Sequence, residues 1–233
     1  ELIETWVINN IKKYNINDII FSGGVGQNIK LMRRLMLNPL INSVWAGPIS
    51  GDGSLAIGAA WMANMQNDSH NSIEGLNNIY LGKSYSEKEI NNAISINNLN
   101  DRFYIKTNPS KTLIAKWIAE GKIIGRFSDR MEFGQRALGN RSIIADPRTV
   151  NSVTRINNVI KQRDFWMPFT PSLLEENSKN IIDNPKNIFS PFMTMAFDIK
   201  ESFKDKLPAV IHPSDKTMRP QMLKESFNKK KIG

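Results

Sequence analysis

Five arginines fall within residues 125–148, GRFSDRMEFGQRALGNRSIIADPR: Arg126, Arg130, Arg136, Arg141 and Arg148. A guanidinium offers planar, paired donors that match phosphate or carboxylate oxygens. Gly134 and Gly139 lie between the arginines. With Ala137, Asn140 and Ser142 they leave room for backbone N–H groups to approach an anion. The competing reading is a solvated basic loop, the usual fate of a charge cluster. The pattern of small residues favours the anion site. Glu132 is placed to hold one arginine, with Arg130 as its partner. Nothing in the sequence supports Glu132 as a general base.

The flanking segments must position this loop. Residues 122–127 and 143–145 are isoleucine-rich and adjoin glycine turns, which predicts buried strands. The loop then sits at the end of a sheet. Upstream, Leu2, Ile3, Trp6, Val7, Ile8 and Ile11 have the spacing of an amphipathic helix over 2–14. A turn at Asn17-Asp18 leads to a short buried strand at 19–21. A helix over 25–37 follows, stopped by Asn38-Pro39. A second strand at 44–46, a loop at 47–53 and a helix at 54–65 complete an alternation that predicts a parallel sheet and an α/β unit. Glycines in FSGGVGQN make a weak phosphate-loop signal at the start of a helix. On residue type alone, Asp52 reads as an N-cap.

Residues 66–78 are polar and read as a linker, with His70 exposed and inert. Ser86 and Glu89 form a capping-box pattern opening a helix over 86–96. Residues 110–120 predict a further helix with Leu113, Ile114, Trp117 and Ile118 inward and Gly121 as its stop. Asp146-Pro147-Arg148 reads as a turn. A helix over 151–160 delivers Lys161, Arg163 and Asp164. A helix C-terminus favours such cations for structural reasons alone. Phe165, Trp166 and Phe169 read as core, and strand-like sequence follows at 194–199.

RMEFGQRALGNRSIIADPR resembles, without gaps, the signature of the carbamoyltransferases of the nodulation and antibiotic-biosynthesis type. Other blocks extend the resemblance over most of the chain. FSGGVGQN and SGDGSLAIGAA are similar to that family's nucleotide-side blocks. Tyr80-Leu81-Gly82 resembles the opening of its second domain. IKQRDFWMPFTPSLLEE, Ser190-Pro191-Phe192-Met193 and IHPSDKTMRPQML match further segments. The resemblance implies the end of an actin/ATPase-like lobe over 1–66, a linker over 67–78 and a YrdC-like twisted-sheet domain over 79–233. The fold class is then α/β with an α+β second domain. It implies transfer of a carbamoyl group from carbamoyl phosphate, with ATP and through carbamoyl-adenylate, to an acceptor hydroxyl on a sugar or secondary metabolite.

By the same resemblance Arg136, Lys161, Arg219 and His212 carry the chemistry, with Arg136 on carbamoyl phosphate. Arg130, Asn140, Arg141, Ser142, Arg163 and Thr217 add to the substrate pocket, beside Gln221. Gly23, Gly24, Asn28 and Gly51 face the nucleotide. Asp52 matches a ligand of a divalent metal, iron-type or magnesium. This sequence departs from the pattern in places. Gly26-Gln27 replaces Ala-Leu, with no chemical consequence evident from sequence. Met167 replaces an arginine that helps hold carbamoyl phosphate, and a thioether cannot supply that charge. Lys216 replaces a glycine. The HxxxH pair that completes the family's metal site has no counterpart, since His70 and His212 are the sequence's two histidines. The first helix matches one deep inside the family's first domain, and the family's NTSFN block is not reached. The expectation is a fragment, incomplete in both lobes, that does not complete transfer. Full turnover with an added alcohol would refute it.

Composition sets the outer limits. A chain of 233 residues with 40% hydrophobic residues holds one large domain or two small ones. No run approaches the roughly eighteen apolar residues of a membrane span, and no membrane partner is expected. The amphipathic, mixed-charge start is not a secretory signal. With no cysteine there is no disulfide framework, thiolate zinc site or cysteine nucleophile, and a cytoplasmic location is favoured. The net charge of +9, from 31 basic against 22 acidic residues, favours anionic partners. A small anionic ligand is preferred, because the arginines cluster and the rest of the excess lies partly in the tail at 224–231. An RNA-binding module is the second reading, set back because the aromatics sit at core spacing rather than among basic residues. A non-catalytic copy is the third, and a homodimer is left open.

Overall fold

The structure, a computed structural model, describes residues 1–67, 78–162, 164 and 167–225. His70, Arg163, Phe165, Trp166 and most of the basic tail lie outside the described residues. The chain packs as two compact units: Glu1–Asn77 with Pro147–Gly233, and Asn78–Asp146. The mixture of helices and small sheets is of the α/β class.

In the first unit, α1 (Leu2–Tyr14) buries Val7 and Ile11 and ends at Asn15 in the left-handed region. Strands β1 (Asp18–Phe21) and β2 (Ser43–Ala46) pair in parallel, with Ile19 opposite Val44. The strand expected to be buried is covered on one side only, and Ile20 is 77% exposed. Between them, a tight turn over Gly24–Gln27 delays the helix expected from residue 25. Helix α2 (Ile29–Leu37) starts where the Asn28 side chain accepts a hydrogen bond from the Leu31 N–H at 3.1 Å. Its inner face carries Leu31, Met32, Leu35 and Met36. Helix α3 (Leu55–Asn67) is apolar almost throughout, yet none of its residues is buried.

The second unit contains α4 (Glu87–Ile96) and α5 (Lys111–Ala119). The predicted capping box is present. The Glu89 carboxylate accepts the Ser86 N–H at 2.8 Å, and the Ser86 hydroxyl accepts the Glu89 N–H at 3.3 Å. Ser110 caps α5, and Gly121 ends it at φ 78°. Leu113, Ile114, Trp117 and Ile118 form its less exposed face, without full burial. Strands β3 (Ile124–Phe127) and β4 (Arg141–Ile144) are an antiparallel hairpin, with Arg126 opposite Ser142 and Phe127 opposite Arg141. The arginine loop is therefore the connection of this hairpin. Both strands were expected to be buried. Instead their residues are half-buried or exposed, and Phe127 is 60% exposed, because the described residues give the hairpin no third strand.

The chain then returns to the first unit. Helix α6 (Val150–Arg155) widens into a π-helical turn over Ile156–Lys161 and stops at Gln162 with φ 46°. Three elements follow that the sequence pattern did not reveal: β5 (Ser172–Leu174), α7 (Glu175–Ile181) and β6 (Ile182–Asp183). Next come β7 (Phe197–Ile199), the short α8 (Glu201–Lys204), β8 (Thr217–Met218) and β9 (Gln221–Leu223). β5 pairs with β9 in parallel, and β6, β7 and β8 form an antiparallel sheet. One core joins the two ends of the unit. Val7, Met32, Leu35, Met36 and Val44 pack with Ile182, Phe197, Met218 and Met222.

Polar ties hold α2 to the later segment. Arg33 pairs with Asp198 at 2.5 Å and Lys30 with Asp215 at 2.6 Å. The Lys186 ammonium donates to the Asn38 carbonyl at 2.6 Å and also to that of Ile41, just past the helix's last turn. Burial holds the Lys186 pKa below its ordinary value. Replacing the cap, Asn28→Ala, is expected to lower stability by about 0.5–2 kcal/mol. Asn28→Gly should lower it by only a few tenths, and urea unfolding of the two variants checks the difference.

Candidate anion-binding site

The arginine loop is built around a carboxylate. Glu132 is 5% exposed. Its Oε1 accepts the N–H groups of Leu138 at 2.8 Å, Asn140 at 2.7 Å and Arg141 at 3.2 Å, and Oε2 shares the last at 3.2 Å. The intervening Gly139 N–H donates to the Ser142 hydroxyl at 2.9 Å. Burial pulls the Glu132 carboxyl upward, but these amides and its own outweigh it and hold it below its ordinary value. Two sequence expectations are corrected here. Glu132 pairs with no arginine among the described residues; it binds backbone. Of the loop amides expected to meet an incoming anion, those of Gly139 and Asn140 already have acceptors inside the chain.

Most of the loop's polar groups serve as scaffold. Arg130 donates to the carbonyls of Gly82 at 3.0 Å and Leu81 at 2.9 Å, not to Glu132. Arg141 donates to the carbonyls of Ser128 at 2.6 Å and Asp129 at 2.9 Å while lying 3.7 Å from the Phe127 ring centre. Asn140, 1% exposed, donates its amide to the Arg130 carbonyl at 2.7 Å. The Tyr80-Leu81-Gly82 segment runs alongside: the Tyr80 hydroxyl donates to the Leu138 carbonyl at 2.8 Å, and the Gly82 N–H to Met131 at 2.9 Å.

Arg136 is the exception. Its Nη1 is buried and has no hydrogen-bond partner among the described residues. Burial pushes the pKa of the guanidinium down, yet an arginine keeps its charge. A buried, charged donor without an acceptor is costly. An oxyanion brought to it would remove that cost.

A second group of predicted residues lies in the first unit. Residues 212–217 form a tight turn, closed by the His212 N–H on the Thr217 carbonyl at 2.8 Å. Lys216, in the place of the family's glycine, takes φ 58° and so adopts the left-handed conformation itself. His212 is half-buried in this turn, its Nδ1 3.3 Å from Asp215. Asp215 went unselected at the sequence level, yet it organises the turn. It accepts the Thr217 hydroxyl at 2.8 Å and pairs with Lys30. Burial alone would raise its pKa, but Lys30 and Thr217 lower it to about 2. Arg219 donates to the Thr170 hydroxyl at 3.2 Å, and Gln221 is buried, its side-chain oxygen accepting from Ser172 at 3.4 Å. Lys161 is exposed at the end of the π-helical turn.

The two glycine loops of the first unit approach each other. A Cβ added at Gly26 would lie 2.9 Å from that of Ser50, and one at Gly51 would lie 2.6 Å from the Gln27 side chain. The Gly26 departure thus has a consequence: an alanine here would force the loops apart. Gly23, at φ 92°, and Gly24 have open space before them, so a phosphate could approach their backbone. The Asn28 side chain is occupied as the α2 cap. Asp52 is exposed and caps no helix, contrary to the residue-level reading. No group of three potential metal-ligating side chains occurs among the described residues. A lone carboxylate supplies too few ligands for a metal centre.

Residues 2–61 match the family model of the carbamoyltransferase N-terminus, and residues 115–232 match that of the carbamoyltransferase C-terminus. The chain belongs to the carbamoyltransferase family. This carbamoyltransferase chain is 33% identical over 222 residues to nodulation protein NolNO of Sinorhizobium fredii, covering 91% of the chain and 31% of that relative. It is 30% identical over 234 residues to nodulation protein NolO of Bradyrhizobium diazoefficiens, covering 98% and 42%. It is 36% identical over 221 residues to the uncharacterized protein MJ1051 of Methanocaldococcus jannaschii, covering 93% and 40%. The carbamoyltransferase chain thus spans well under half the length of these relatives. Among its described residues, no helix is long and apolar enough to cross a membrane.

The lowered pKa of Asp215 carries a sign. A depressed carboxyl stabilises the fold above its unfolded value, and that contribution is lost as pH falls toward the folded value. Asp215→Asn should therefore melt lower than the carbamoyltransferase chain itself at pH 7. The gap should close between about pH 4 and pH 2, as thermal unfolding across that range would record.

Proposed function

We propose that this chain carries the carbamoyl phosphate-handling part of an O-carbamoyltransferase, which uses ATP and passes the group through carbamoyl-adenylate to an acceptor hydroxyl on a sugar or secondary metabolite. Family membership supports the reaction class, and the buried Arg136 Nη1, without a hydrogen-bond partner among the described residues, is the observation that carries the reading. Arg136 supplies a charge-assisted donor to a phosphate oxygen and offsets its negative charge as the phosphate is displaced. Arg130, Asn140, Arg141 and Ser142 act on the ligand through the loop they hold rather than by contact. In the first unit, Arg219, His212 and the turn ordered by Asp215 are assigned to the adenylate. Gly23, Gly24 and Gly51 are assigned to nucleotide phosphates. Lys161 and Arg163 add positive charge. Met167 leaves the chain one cation short of the family pattern, so carbamoyl phosphate is bound more weakly than by relatives with arginine there.

The RNA-binding reading gains one observation. Tyr85 and Phe127 are exposed and 5.6 Å apart, contrary to the expectation that the aromatics belong to the core. However, the Lys83 ammonium lies 4.6 Å from the Tyr85 ring and Arg141 stacks on Phe127. The rings already have cationic partners, which makes them a poor platform for bases.

Calorimetric titration with carbamoyl phosphate tests the transferase reading. Arg136→Ala should lose about 1.5–3 kcal/mol of binding, roughly tenfold to a hundredfold in affinity. Equal binding by both proteins would remove Arg136 from the site. Steeply salt-dependent RNA binding, unaffected by carbamoyl phosphate, would favour the alternative.

A further inference from the structure

Between Leu138 and Arg141, every backbone N–H has an acceptor within the chain: Glu132 takes three and the Ser142 hydroxyl takes the fourth. Such consecutive amides form a concavity that binds anions. Here the anion is the chain's own carboxylate. Arg136 lies in the short span between Glu132 and Leu138, and the bond between those two residues closes that span.

We propose that Glu132 is a positioning residue, a built-in anion that folds the loop onto itself and thereby holds Arg136 with its buried Nη1 unpaired among the described residues, ready to donate to an oxyanion. This rests on the reading of Arg136 as the anion-binding arm. A carboxylate is required for a geometric reason. Oε2 accepts from the Arg141 N–H; a glutamine NH2 in that place would set donor against donor, and its rotated form would lose the three bonds to Oε1. An aspartate is one methylene too short to reach amides on both sides of Gly139. The ordering of the loop is therefore paid within the fold, and the ligand meets a preset guanidinium.

Inorganic sulfate is the probe, because its charge does not change near neutral pH. The chain, Arg136→Ala and Glu132→Gln are titrated at pH 7, and modification of Arg136 by phenylglyoxal is followed by mass spectrometry with and without sulfate. The chain should bind sulfate, and Arg136→Ala should not. Glu132→Gln should bind at least tenfold more weakly, with Arg136 reacting faster and unprotected by sulfate while the protein stays folded. If Arg136→Ala loses binding but Glu132→Gln binds within twofold and stays protected, the role of Glu132 is overturned and the Arg136 reading stands. If Arg136→Ala binds normally, the Arg136 reading falls and the proposal with it. Should Glu132→Gln fail to fold, amide NMR of the unaltered chain decides. The amides of Leu138, Asn140 and Arg141 should exchange slowly and keep their shifts on sulfate addition while the Arg136 side-chain signals move. Large sulfate-induced shifts at those amides would overturn the proposal.

Discussion

A loop rich in small residues has to place its backbone donors somewhere, and in this chain one buried carboxylate takes three of them. Glu132 gathers amides six to nine residues ahead of it. The Asn140 amide then ties the far side of the loop to Arg130, and Arg130 ties the near side to Leu81 and Gly82. Removing the carboxylate would leave several buried polar groups without partners at once. The chemistry available to Arg136 thus depends on bonds that Arg136 does not make.

Signals confined to a few neighbouring residues were legible from the sequence. Ser86 with Glu89, Ser110 three residues before Leu113, and Gly121 after the last turn of α5 each act within one helical turn. Arg136 was singled out because its surrounding motif is long. Burial was not legible where it depends on distant partners. The isoleucines at 19–20 and 143–144 look alike in sequence to core strands, but exposure follows from what packs on each face. The roles of Glu132 and Asp215 were missed for the same reason. Residue type marks a carboxylate as an acceptor without saying whose proton it accepts, and Lys30 lies far from Asp215 along the chain.

Departures from the family pattern differ in physical weight. Lys216 takes a left-handed backbone that a glycine would adopt without strain. Gly26 permits a closer approach of two loops than alanine would. Met167 changes charge rather than shape. Its backbone is still engaged, with its carbonyl accepting the buried Asn157 amide at 3.1 Å.

The shared core of the first unit also bears on how the protein is made. Its hydrophobic contacts join α1 and α2 to strands near residue 220, with the whole of the second unit intervening in sequence. During synthesis α2 has α1 and β2 as neighbours, and the rest of the core around Met32, Leu35 and Met36 is missing until β7, β8 and β9 have left the ribosome. The second unit, whose contacts are confined to one continuous stretch, can close earlier. Contacts of such wide sequence separation form slowly, and exposed apolar surface in the interval invites association. The order of folding is then the reverse of the order of synthesis for the first two helices.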